Sequence, residues 1–235
     1  MREDEGRAND GKALETSVDG EKYARIPLRT RVVMPDDDLD AVITEYAAGA
    51  VQSGDLLFVT EKIVAITQGR SYRLDEIKPR RLALFLSKYV TRTPYGIGLG
   101  MPETMEMALR ECGTPRILFA AAVSAVTKAF GRRGDFYRIA GDKARAIDGP
   151  TSHTIPPYNE AVVLGPEDPK GVSAHLKALL GGTADVAVVD INDLGGNILG
   201  STLDRAGEQR LLKVLGDNPL GQGRESTPLG IVRAV

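Results

Sequence analysis

A single cysteine, Cys112, stands in the 235 residues of the chain. That excludes an internal disulfide and any thiolate cage for a metal. Cys112 reads as a helix packing residue rather than a nucleophile. Only two histidines occur, His153 and His175, too few for a histidine-rich zinc site. No G-x-S-x-G accompanies them, which removes the usual setting of a serine nucleophile. No apolar run reaches the roughly 18 residues of a membrane-spanning helix, so none is expected. The leading MREDEGRANDGKALETSVDGEK lacks the apolar core of a signal peptide, which predicts a cytoplasmic protein. Charge of one sign is also missing. The net charge is −2 with acids and bases interspersed, leaving no footprint for nucleic acid. The one basic cluster, Lys128 to Arg133, reads as a solvated turn between two elements.

Apolar residues make up 42% of the chain, enough for a packed core. The length fits one large domain or two small ones. The polar, mixed-charge start predicts a disordered tail over residues 1–21. No repeat or low-complexity linker divides the rest, so one domain is expected over 22–235.

Tyr23 to Met34 alternates loosely and predicts a strand. Pro35 and Asp36 to Asp38 predict a helix start, with Leu39, Val42, Ile43 and Tyr46 on one face. Leu56 to Val59 reads as a buried strand, and Ile63 to Ile66 as continuing apolar structure. Pro79 to Tyr89 and Pro102 to Cys112 are helix candidates. Ile117 to Phe130 is rich in Ala and Val, and periodicity leaves helix or strand open. Phe136 to Ala140 predicts a strand, Asp148 and Gly149 a loop, Ala161 to Leu164 a strand, and Gly171 to Leu180 a helix. A glycine turn, Gly221 to Gly223, precedes a last strand, Leu229 to Val235. Strands and helices mix without strict alternation, which predicts an α+β fold of mixed sheets with packed helices.

The richest stretch is Ala184 to Gly200, ADVAVVDINDLGGNILG. Val186 to Val189 reads as a strand covered on both faces. It is expected to stop at Asp190, Asn192 and Asp193, before a turn at Gly195 and Gly196. Carboxylates at a strand end are a common way to present metal or phosphate ligands, and Asx-rich turns use the same residues. Three polar stretches flank apolar segments in this way: Thr60-Glu61-Lys62, Ala146-Ile147-Asp148, and Asp190 to Asp193. Oxygen ligands from separate loops suit Mg²⁺, which takes one or two carboxylates plus substrate phosphates. Asp148 and Asp190 form such a pair, or else cap turns. Lys62 either meets a phosphate or lies on the surface. Gly221-Gln222-Gly223 brings backbone N–H groups toward a phosphate or simply connects strands. The glycine-rich Thr91 to Gly100 lacks the spacing of a P-loop.

Together these segments resemble the coenzyme F-420 gamma-glutamyl ligases, from about Ile26 to Val235. Thr60-Glu61-Lys62-Ile63-Val64 with Gln68-Gly69-Arg70 looks like that family's T-S-K-[IV]-V-S-K-A-E-G-R. Ala146-Ile147-Asp148 looks like the end of its A-G-I-D, with alanine for the glycine. Gly165-Pro166 with Asp168-Pro169 looks like its P-P-x-D-P, and Val188-Val189-Asp190 like its strand ending in aspartate. Gly221-Gln222-Gly223, Pro228 and Ile231-Val232-Arg233 look like its G-x-G…P…V-V-R. The resemblance implies an α+β fold, an intertwined homodimer, GTP as co-substrate and Mn²⁺ or Mg²⁺. It implies that glutamate attacks an acyl phosphate of the lactyl-phospho deazaflavin precursor, giving an amide, GDP and phosphate. Asp148 and Asp190, with Asn192, would hold the metal. Thr60, Glu61, Lys62, Thr151, Gly221, Gln222 and Gly223 would meet the nucleotide. The chain departs from the pattern at Ala65 and Ile66, where the family has serine and lysine. It departs again at Thr151, near the expected asparagine, and at Ile191, in place of threonine. These departures leave open a homologue of other specificity, or one that binds a nucleotide or phosphorylated ligand without catalysis. A phosphate-ester enzyme using the same acidic pair is a third reading.

Overall fold

The structure is a computed structural model that describes residues 12–90, 98–132, 134–152, 154–192, 195–220 and 226–235. Its elements follow in chain order: β1 Glu15–Val18, β2 Glu21–Leu28, α1 Leu39–Tyr46, β3 Leu56–Thr60, α2 Glu61–Thr67, β4 Ser71–Arg73, α3 Arg81–Leu86, α4 Pro102–Glu111 and α5 Thr114–Ala129. Then come α6 Asp135–Ala140, α7 Asp142–Arg145, β5 Ala161–Val163, α8 Pro169–Leu179, β6 Asp185–Asn192, β7 Gly195–Ser201, α9 Arg205–Val214 and β8 Leu229–Ala234. The class is α+β, as the sequence predicts. The chain forms two compact units, Met1–Gly69 with Pro166–Val235, and Arg70–Gly165. The second is inserted between α2 and α8 of the first.

The first unit is built on a six-stranded sheet of order β1-β2-β8-β3-β6-β7. Only β3 and β6 run parallel within it; the other pairings are antiparallel. The predicted tail is structured from Glu15, because Asp19-Gly20 closes a two-residue hairpin. Both residues take positive φ, 53° and 90°, which Asp-Gly supplies at low cost. Val18 is then buried beside Tyr23 and Val232. Helix α1 starts where predicted, with the Asp38 side chain accepting from the Asp40 N–H and Val42 and Ile43 buried.

The strand expected to stop at Val189 continues to Asn192, and Gly195 and Gly196 belong to β7 rather than a turn. Asp190 lies opposite Asn197, and Asn192 opposite Gly195. Backbone pairing with β7 overrides the local turn preference of Asp and Asn.

In the second unit the helices pack around Leu99, Met105, Leu109, Ile117 and Val162. Ile117 to Phe130 resolves as helix α5, with Pro at its first turn. Phe136 to Ala140 is helix rather than strand. Its β-favouring residues are overruled by glycines at each end, Gly134 at φ 89° and Gly141 at φ 93°. Asp135 of that helix is buried and paired with Arg138. Asp148, expected in a loop, is bridged to β5.

Candidate functional site

Three segments of the first unit meet at one end of its two parallel strands. Thr60 of β3 is in register with Val189 of β6. Thr60-Glu61-Lys62, leaving β3, therefore runs beside Asp190. The third segment leads into β8, where Leu229 pairs with Val59 and the Thr60 N–H donates to the Pro228 carbonyl at 2.9 Å. Crevices outside the carboxyl ends of parallel strands are where such sheets bind ligands, since chain leaving the sheet there is held by it yet open to solvent.

Alternation along β6 puts Val186, Val188, Asp190 and Asn192 on one face, and Ala187 and Val189 on the other. The second face packs with Phe58 and with Leu211 and Val214 of α9. The first is buried at Val186 and Val188 and opens to half-buried at Asp190 and Asn192. A carboxylate and an amide thus stand two residues apart on one face where the core ends. Thr60 occupies the cap position of α2, but its hydroxyl makes no capping hydrogen bond. Glu61 and Lys62 form the first turn and are half-buried. The next four residues, Ile63 to Ile66, face the core, with Ala65 and Ile66 exposed 0% and 2%.

In the second unit, Asp148 is fixed by its backbone. Its N–H donates to the Val163 carbonyl at 2.8 Å, and its carbonyl accepts from the Val163 N–H at 2.9 Å. Thr151 closes a short turn, its hydroxyl 2.8 Å from that of Thr154. Gly221, Gln222 and Gly223 lie outside the described residues, as do Asp193 and His153.

Several residues of the suspected motifs have structural work instead. Gly69, at φ 70°, ends α2 by donating to the Ile66 carbonyl. Arg70 donates to the Gly165 carbonyl at 2.6 Å and to Glu111 at 2.7 Å. Burial pushes the Glu111 carboxyl up, but Arg70 and Lys143 outweigh it and hold it below its usual range. Gly165 has no room for a Cβ, which would sit 2.6 Å from the Ala146 methyl. Asp168 caps α8, accepting from the Gly171 N–H at 3.0 Å, with Pro169 in the first turn. Of the other suspected residues, Thr60-Glu61-Lys62 stand with Asp190 and Asn192 in one unit, and Asp148 stands in the other.

The sequence pattern of the F420-0:gamma-glutamyl ligases matches residues 27–201. The chain belongs to that family. Membership in the F420-0:gamma-glutamyl ligases supports a ligase role in F420 biosynthesis and a small-molecule substrate. The match takes in the inserted unit and both parallel strands, and ends with β7. No curated protein matches the chain. Among the described residues, no helix is long and apolar enough to cross a membrane.

The link between Thr60 and Pro228 was not legible from spacing, because 168 positions of chain separate a bond that forms only when β8 lies against β3. The pairing of Asp190 with Asn192 did have a signal. Both stand at even spacing from Val186 and Val188, and strand alternation carries them to the same face.

Proposed function

We propose that this chain is a GTP- and divalent-metal-dependent ligase that joins L-glutamate by an amide bond to the F420 precursor. The observation that carries the proposal is the convergence of Thr60-Glu61-Lys62 with Asp190 and Asn192 at adjacent strand ends, in a gamma-glutamyl ligase. The donor set fits Mn²⁺ or Mg²⁺. Asp190 and Asn192 offer hard oxygens from one face of β6, and Asp148 offers a carboxylate from the inserted unit. No group of three acidic, histidine or cysteine side chains gathers among the described residues. Mg²⁺ takes one or two carboxylates and completes its shell with water and phosphate oxygens. When bound, the ion supplies charge neutralisation at the phosphates. The chain's own residues bind and orient. The uncommitted Thr60 hydroxyl donates to the nucleotide, Lys62 adds a positive charge, and Glu61 and Thr151 complete its contacts. Backbone pairing of β3 with β6 holds Thr60 and Asp190 side by side before the substrates arrive, which removes an ordering cost from the reaction.

The test is calorimetric titration of GTP with and without Mn²⁺, followed by incorporation of labelled glutamate into the precursor. Wild type should bind GTP only with metal and form product and GDP. Asp190→Asn and Asp148→Asn should each lose metal-dependent binding by tenfold or more, about 1.4 kcal/mol, with an unchanged melting temperature. Failure of wild type to bind GTP under any metal condition overturns the proposal.

A second reading rests on Ala65 and Ile66. They are buried in α2 where the family pattern has serine and lysine, and so present no polar group to a ligand. Under that reading the chain binds a nucleotide or phosphorylated ligand with different specificity or without turnover. Metal-dependent GTP binding with no glutamate incorporation favours it.

A further inference from the structure

Aromatic side chains are scarce in this chain, which has seven tyrosines, five phenylalanines and no tryptophan. Two of them stand together in water on the inserted unit. Phe85 of α3 and Tyr89, in the helical turn Ser87–Tyr89 that continues it, are exposed 56% and 68%. Their ring centroids lie 5.0 Å apart, with the planes tilted by 55°. Such rings are ordinarily buried, because each carries about 150–250 Å² of largely apolar surface. Arg81, Leu84, Phe85, Lys88 and Tyr89 follow the spacing of one helical face, i, i+3, i+4, i+7 and i+8. All five are exposed, while Ala83 and Leu86 between them are buried.

The face carries charge of one sign. From Ile77 to Pro102 the sequence has no acidic residue, in a chain whose net charge is −2. Glu106 of α4 is taken by Arg80 and Arg110, at 3.0 and 2.9 Å. Among the described residues, Arg81 and Lys88 have no carboxylate partner. Lys88 also lines a cleft of about 480 Å³, together with Leu84, Ser87, Val90, Gly100 and Pro102. Small-molecule sites run from roughly 300 to 1,000 Å³ and combine apolar surface with a few polar groups, as this lining does. A second copy of the chain does not suit the face. Twofold pairing would set Arg81 and Lys88 against the same charges of the copy, and like charges repel.

We propose that this face of α3 binds a planar aromatic ring that carries a phosphate. The ring packs on Phe85 and Tyr89, since aromatic faces hold any flat π system by offset or edge contact. The phosphate meets Lys88 at the mouth of the cleft and Arg81 one turn before Phe85. Lysine serves a phosphate as a point charge, and arginine adds a fork of donors. Apolar stacking and positive charge thus lie within one turn of each other, and a ligand needs both a ring and an anion to use them. A nucleotide and a flavin mononucleotide share that chemistry. Arg81 to Tyr89 belong to the inserted unit, whereas Thr60 and Asp190 belong to the first. The proposal therefore stands apart from the nucleotide site proposed above.

Calorimetric titration of the full chain without metal tests it, with flavin mononucleotide and guanosine monophosphate as probes. At least one of them should bind saturably, and the tighter of the two marks the natural ligand as flavin-like or as a nucleotide. The ring without phosphate (riboflavin or guanosine) and inorganic phosphate alone should each bind more weakly. Phe85→Ala and Lys88→Ala should each weaken binding about fivefold or more, the lower end of what one stacking contact supplies. Both sites are exposed, so the helical signal should not change; should it fall, Tyr89→Ala carries the same expectation. Phe119→Ser, which removes an exposed aromatic of α5, should bind as wild type does. Absence of saturable binding of both probes overturns the proposal, as does binding that survives Phe85→Ala and Lys88→Ala.

Discussion

Replacing Gly200 by alanine drives a methyl group into the backbone of α8. An added Cβ would sit 2.3 Å from the Lys170 nitrogen, 2.4 Å from the Pro169 carbonyl carbon and 2.6 Å from its oxygen. Comfortable contact for carbon is about 3.5–4.0 Å, so strand and helix must part by roughly 1 Å. No side-chain rotation relieves this, because all three atoms are backbone. The same movement strains the Ser173 hydroxyl, fully buried and 3.0 Å from both the Pro169 and Gly200 carbonyls. Overpacking costs about 1–3 kcal/mol, and loss of one buried hydrogen bond about 1 kcal/mol. Together they predict a loss of about 2–4 kcal/mol, or about 6–12 °C in melting temperature at this size. Thermal unfolding followed by circular dichroism measures it, with Ser173→Ala isolating the hydrogen-bond share. The two units need not melt in one step, so the transition followed must be the one that Ser173→Ala also shifts. A Gly200→Ala chain that melts within 2 °C of wild type refutes the reasoning, as would a loss no larger than that of Ser173→Ala.

Three further outcomes follow from the same physics. Ile66→Lys, which restores the residue of the family pattern, should lower stability by about 3–5 kcal/mol in denaturant titration. It buries a charge at a position exposed 2%; an unchanged midpoint would show that α2 opens there. Acid should destabilise the fold below about pH 4.5. For Glu106 and Asp185, burial raises the carboxyl but is outweighed by Arg80 and Arg110 for the first, and by Lys177 and Thr202 for the second, so both titrate below their usual values. Their contribution is present above the unfolded values, about 4.3 and 3.9, and is lost as pH falls through the folded ones. Glu106→Gln should flatten part of that acid slope, and a slope identical to wild type would discount it. The Cys112 thiol is pushed up by burial and by the charge of Glu111, so alkylation at neutral pH should be slower than for a free thiol. Labelling at the free-thiol rate would contradict that.

Elements with local causes were legible in the residues. Asp38 caps α1, Asp168 with Pro169 opens α8, and unbroken apolar runs mark β3, β6 and β8. These signals act within a few positions of the chain, where side chain meets neighbouring backbone. The order of motifs pointed to the gamma-glutamyl ligases for the same reason, since it is carried by residue identity alone.

Only the tertiary structure decided where Asp190 stands. Asp and Asn favour a turn locally, and pairing with β7 draws them into a strand instead. It decided that Asp148 is bridged to β5, and that Thr60 lies beside Val189 with its N–H on the Pro228 carbonyl. It also left an apolar face of α5 in water. The partners of Asp148 and Thr60 are distant in sequence, and residue spacing carries no record of such partners.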